Sequence, residues 1–157
     1  MAMSKRVTGK SSVRNARRKV PTSYVMEDQV GFLMRVAMQR HTSIFMSLIA
    51  HKLTQTQFAA LAKLIEVGTC SQNHLGRLIY LDHATIKGVI DRLRRRKLVT
   101  IQVSPKDRRR SMITLTDNGH RVVREAIVLA HRITAETLAC LKPREQREVV
   151  RLLQKLI

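Results

Sequence analysis

The residues best suited to chemistry in this chain are cations, and they fall in two neighbouring stretches. Asp82 to Leu98 reads DHATIKGVIDRLRRRKL, and Ser104 to Arg110 reads SPKDRRR. Guanidinium and ammonium groups at this density bind polyanions, donating to phosphate oxygens and, where geometry allows, to the acceptor edge of guanine. On a helix turning about 100° per residue, Ile86, Val89, Ile90 and Leu93 cluster on one side and must be buried. The other side presents Ala84 and Gly88, flanked by His83, Thr85, Lys87 and Arg92. Small residues at its centre let the backbone approach base edges. Thr85 can bond a base or touch a thymine methyl, and Lys87 and Arg92 can reach guanine or phosphate. Asp91 shares this side and would repel phosphate, so Lys87 or Arg95, four residues either way, is its expected partner. Taken alone, a surface helix with a solvated charged face explains the stretch equally well.

The second stretch is a turn. Val99, Ile101 and Val103 alternate with polar residues, as do Ile113 and Leu115 on the return, so two strands flank Ser104–Arg110. The turn carries Lys106, Arg108, Arg109 and Arg110 with one acid, Asp107. Arginine at a hairpin tip suits a narrow minor groove, where the negative potential is deepest. Asp107 is expected to hold a neighbouring guanidinium or cap the turn. A solvated, merely charged loop is the competing reading.

Other reactive residues are sparse. Cys70 and Cys140 have no disulfide or zinc spacing and fit a reducing compartment. Cys70 precedes a helix start, where a thiolate would be favoured, so oxidation sensing is open. The six histidines (41, 51, 74, 83, 120 and 131) show no metal-ligand spacing with acids or cysteines. No nucleophile elbow, phosphate loop or carboxylate pair is present, which argues against an enzyme with a catalytic residue or cofactor. His41 falls on the apolar stripe of the first long helix, with Phe45 one turn on and Arg40 beside it. A cation and an imidazole near an apolar wall suit a planar carboxylate. A core histidine bonded to a backbone carbonyl competes with that reading, and Met34 and Met38 are expected to fill core.

These side chains need a scaffold, and the pattern supplies one. Residues 1–22 form a basic arm without an acid, expected to be disordered; its composition also resembles an organellar transit peptide. From about Ser23 to Ala50, Val30, Leu33, Met34, Ala37, Ile44, Phe45 and Leu48 recur at helical spacing, with Phe32 and Met46 on the opposite side. Two apolar sides on one helix imply packing on a partner chain as well. Thr54 and Gln57 make a capping box for a helix burying Phe58, Leu61, Ala62 and Ile65, which Gly68 ends. Ser71 caps a short helix with Leu75, Leu78 and Ile79 inward, and Asp82 caps the next. Two short helices joined by a tight turn are a helix-turn-helix. Thr116 starts a helix to about Leu138, burying Val122, Val123, Ala126, Leu129, Ala130 and Ile133. Pro143 opens a last one, with Val149, Leu152, Leu153 and Leu156 on one side.

The expected fold is mostly α. A winged helix-turn-helix (54–117) with a two-stranded β wing lies between an N-terminal dimerisation helix (23–53) and C-terminal dimerisation helices (118–157). Thirty Lys and Arg against eleven Asp and Glu give the 157 residues a formal charge of +19, a strong attraction to DNA, RNA or an acidic membrane surface. No apolar run reaches the ~18–20 residues needed to span a bilayer. At 3% aromatics the chain is poorly equipped to stack single-stranded bases.

From about Tyr24 onward the chain resembles the multiple antibiotic resistance regulator (MarR) family of dimeric winged-helix transcription factors. LTQTQFAALAKL, LIYLDHATIKGVIDRLRRRKLV and SPKDRRRSMITLTDNG correspond to its second helix, its recognition helix with following strand, and its wing. The resemblance implies a homodimer, first and last helices intertwined, on a pseudo-palindromic operator of double-stranded DNA. It makes Arg109 the minor-groove arginine and Asp107 its structural partner, with Thr85, Lys87 and Arg92 where the family reads the major groove. Lys97 departs from the glycine usual in the family, which implies a less favourable helix end. The family also implies a small effector, often an aromatic acid, between the dimer helices and the DNA-binding lobe. MEDQVGFLMRVAMQRHTSIF further resembles the branch responding to hydroxylated aromatic or heteroaromatic carboxylates. The expectation is therefore a cytoplasmic, nucleoid-associated bacterial regulator, most simply a repressor, with no membrane partner. An architectural protein coating DNA without sequence preference, or a basic RNA-binding protein, would share its charge.

Overall fold

In the computed structural model, residues 24–103 and 111–157 are described. The basic arm and the wing tip, with Lys106, Asp107, Arg108 and Arg109, lie outside them. A single-turn 3-10 helix at Met26–Asp28 leads into α1, Val30–Leu48, shorter at both ends than the periodicity predicts. Ile49 turns extended, and a 3-10 corner at Ala50–Lys52 redirects the chain into α2, Gln55–Val67. Then come β1 (Cys70–Ser71), α3 (Gln72–Leu78), α4 (His83–Arg95), β2 (Val99–Val103), β3 (Ser111–Leu115), α5 (Asp117–Leu138) and α6 (Pro143–Leu156).

The caps are those the residue types predict. Thr54 Oγ1 accepts from the Gln57 N–H while Gln57 Oε1 accepts from the Thr54 N–H. Ser71, Asp82 and Thr116 each accept from the N–H three residues on. The sheet has three strands where two were expected. Cys70 pairs with Ile113 and Ser71 with Met112, adding β1 to the outer edge of β3. β1 has only two residues, too short for alternation to reveal it.

The core lies where α2, α3, α4, the sheet and the first half of α5 meet, around Leu53, Leu61, Leu64, Leu75, Ile86, Ile90, Leu93, Ile113 and Val123. In α2 the buried line is Gln57, Ala60, Leu61 and Leu64, one position round from the expected stripe; Phe58, Ala62 and Ile65 pack at its margin. Val103, expected inward, is exposed because β2 runs out past the core toward the wing tip.

Two helices keep their apolar faces outside this core. In α1 only Ile44, Phe45 and Leu48 pack on it, while Val30, Leu33, Met34 and Ala37 are exposed. In α6 no residue is buried, and Leu152, Leu153 and Leu156 face out. Met34 and Met38 are thus not core-filling, because none of the described residues packs on the first half of α1 deeply enough to cover them. No described helix is long and apolar enough to cross a membrane.

Candidate DNA interface and effector cavity

The exposed side of α4 carries the residues singled out for groove reading. Ile86, Val89, Ile90 and Leu93 are buried, whereas His83, Ala84, Thr85, Lys87 and Arg92 are exposed and Gly88 is half-exposed. Asp82 accepts both the backbone N–H of Thr85 (2.9 Å) and its hydroxyl (2.6 Å). Those bonds hold the Asp82 carboxyl below its usual range. They also use the only hydroxyl proton of Thr85, so toward any further partner its Oγ1 can only accept. The Arg92 guanidinium folds back along the helix over Gly88, where an added Cβ would meet it at 3.6 Å, an ordinary contact.

Asp91 pairs with Arg94, three residues on, at 3.9 Å, and this corrects the expected bond to Lys87 or Arg95. The i, i+3 geometry serves as well as i, i+4 and keeps the acid away from Lys87. His83 Nδ1 lies 3.0 Å from Asn73 Oδ1 of α3, tying the first residue of α4 to the helix before it. Both line a groove of about 390 Å3 between α3 and α4, with Gly76, Arg77, Leu81 and Ile86. Asn73 and Arg77 had no periodic signal, since they lie on the outward side of a seven-residue helix.

The end of α4 is set by a left-handed residue. Lys97 has φ 58°, the Leu98 N–H donates to the Leu93 carbonyl (3.0 Å) and the Lys97 N–H to that of Arg94 (2.8 Å). This is a Schellman ending with lysine where glycine is usual. Thr116 then ties the wing base to α5: its hydroxyl donates to the Lys97 carbonyl (2.8 Å) and its N–H to the Leu98 carbonyl (3.1 Å).

A second feature lies between α1, α2 and α5. A cavity of about 260 Å3 is lined by Met38, His41 and Phe45 of α1, Gln55 and Phe58 of α2, and Ala130, Ile133 and Thr134 of α5. His41 Nδ1 is 2.9 Å from Thr137 Oγ1, and that hydroxyl donates to the Ile133 carbonyl at 2.8 Å. With its one proton used, the hydroxyl can only accept from His41. Nδ1 therefore carries the hydrogen, and Nε2 is left to meet whatever enters. His41, Phe45 and Phe58 form a tilted aromatic series with centroids 6.4 and 6.0 Å apart. Arg40 points elsewhere: its guanidinium is 3.4 Å from the Cys140 sulfur. Burial pushes the Cys70 thiol up, which opposes the thiolate its place before a helix would favour. Among the described residues no cluster of His, Cys, Asp and Glu could hold a metal ion.

The repressor NicR of Pseudomonas putida is 36% identical over 137 residues, 87% of each chain. The chain belongs to the MarR family. A model of that family also matches residues 51–110 directly. Solved structures agree with this MarR-family fold. A probable transcriptional regulator from Pseudomonas aeruginosa, 41% identical, superposes with a TM-score of 0.83 over 85% of this chain and all of its own. BpsR of Bordetella bronchiseptica, described as regulated in DNA binding by 6-hydroxynicotinic acid, is also 41% identical, with a TM-score of 0.81 over 85% of this chain and 96% of its own. This MarR-family chain is a winged helix-turn-helix transcriptional regulator, not an enzyme.

The residue that motif reading undervalued is Arg96. Within the run Arg94-Arg95-Arg96 it looked like part of a basic helix end. It lies seven residues after Val89 and three after Leu93, however, on the buried side, and is half-buried there. Its guanidinium donates to Gln57 Oε1 (3.2 Å) and to the His51 carbonyl.

Proposed function

We propose that this chain is a repressor that binds a pseudo-palindromic operator as a homodimer and leaves it when a small aromatic or heteroaromatic carboxylate enters the α1–α2–α5 cavity. The observation that carries the effector reading is His41, whose Nε2 is left over at an otherwise largely apolar cavity. His41 would stand beside the carboxylate of such a ligand, and Phe45 and Phe58 would flank its flat ring. The described regulation of BpsR by 6-hydroxynicotinic acid supports this ligand class. Homodimerisation is supported by the apolar faces of α1 and α6, which the other described residues leave uncovered. Such faces mark protein contacts. The expected setting is the bacterial cytoplasm, at the nucleoid.

Titrating hydroxylated aromatic and pyridine carboxylates against the protein–operator complex tests the effector reading. Release by members of this class, lost in His41→Ala, is the expected result. Release by none of them, or equal release from His41→Ala, overturns it. Sedimentation of the free protein tests the dimer, and a monomer at micromolar concentration would contradict it.

A further inference from the structure

The corner between α1 and α2 holds two consecutive residues, His51 and Lys52, at φ 60° and 49°. Neither is glycine, and such backbone persists only where its surroundings impose it. Two contacts impose it here. The His51 imidazole Nε2 is 2.6 Å from Glu125 Oε2 on α5, and the His51 carbonyl accepts from Arg96, at the last cap of α4. Both anchors are themselves held. Arg121 donates to the other Glu125 oxygen at 3.0 Å, and Arg96 also bonds Gln57 Oε1, which caps the start of α2. One residue thus joins α5, the α1–α2 corner and the C-terminal end of α4.

We propose that Arg96, His51 and Glu125 form a brace that sets the direction of α4 against α5, and that this brace raises operator affinity without touching DNA. It rests on α4 being the helix that reads DNA. Arg96 is suited to the part because its guanidinium spans two acceptors on different segments with fixed geometry, which a lysine cannot do. Its aim is inward, toward α2 and the corner, and away from the exposed side of α4. The corner also joins the two helices that line the cavity with α5, so a shift of α5 reaches α4 through Glu125 and His51.

The charged groups around His51 are Glu125 and Arg121 from α5, Arg96 from α4, and Lys52 beside it. The His51 hydrogen bond holds Glu125 below the usual carboxylate range, so this acid is charged at neutral pH.

The test uses the full-length protein, the DNA fragment upstream of its own gene, and random duplex of the same length. Arg96→Met and Glu125→Gln are compared with wild type over a range of salt. Arg96→Met is expected to lose about five- to tenfold on the upstream fragment, with its salt slope and its affinity for random duplex nearly unchanged. Glu125→Gln, a substitution at the surface, should lose severalfold on the upstream fragment and keep its affinity for random duplex. If Arg96→Met does not fold, this selective loss in Glu125→Gln carries the test. Equal losses on both DNAs with a salt slope lowered by about one would make Arg96 a phosphate contact and overturn the brace. Unchanged affinity in both variants, or a Glu125→Gln deficit equal on the two DNAs, would overturn it too. Wild type that fails to discriminate the two DNAs would instead remove the regulator reading beneath it.

Discussion

Gly119, in the first turn of α5, lies so close to Leu98 that a Cβ built on it would come within 2.0 Å of the Leu98 carbonyl oxygen. That approach lets Thr116 bond both Leu98 and Lys97 while accepting from the Gly119 N–H at 2.9 Å. The L-T-x-x-G sequence after the wing is therefore a joint, with threonine as cap and glycine as clearance.

Gly119→Ala should destabilise the protein by about 3 kcal/mol or more, because rigid backbone, not a movable side chain, receives the clash. Urea unfolding checks this. A loss under about 1 kcal/mol would mean that α5 can slide away from Leu98 at little cost.

Lys97→Gly should act in the other direction. A side chain at φ 58° is disfavoured, and the Schellman bonds are backbone bonds that survive the change. A gain of about 1 kcal/mol in unfolding free energy is expected.

Much of this was legible beforehand, and the reason is local chemistry. Thr54, Ser71, Asp82 and Thr116 announce helix starts because their side chains accept from the nearest backbone N–H groups, whatever the rest of the chain does. The inner face of α4 was equally plain, since its four apolar residues leave little choice. What escaped depends on distant segments. β1 exists only because β3 has a free edge, Asp91 chose Arg94 over two partners of equal sequence merit, and Arg96 bonds residues 39 and 45 positions away. The cavity was half legible. His41 and Phe45 share one stripe, but Arg40 turned to Cys140, and α5 supplied the Thr137 hydroxyl that fixes the His41 proton.

The two thiols should differ sharply toward an alkylating reagent near neutral pH. Cys140 is exposed, whereas Cys70 is buried with its pKa raised, so less thiolate is present below that pKa. Mass spectrometry of partly alkylated protein should find label on Cys140 well before Cys70. Faster labelling of Cys70 would contradict its burial.

Arg109, carried by the resemblance to the family's wing, should matter to operator binding more than its neighbours. Arg109→Ala is expected to weaken it by roughly 1–3 kcal/mol. Affinity unchanged within error would remove the minor-groove role.

The measurement closest to the central claim is a footprint titration on the DNA upstream of the protein's own gene, in competition with random duplex at physiological salt. The account predicts a discrete, two-fold symmetric protected site, at least about 10³-fold tighter than random DNA. Equal affinity for both, with protection spreading along the fragment, would contradict it and make this a DNA-coating protein whose +19 charge alone drives binding.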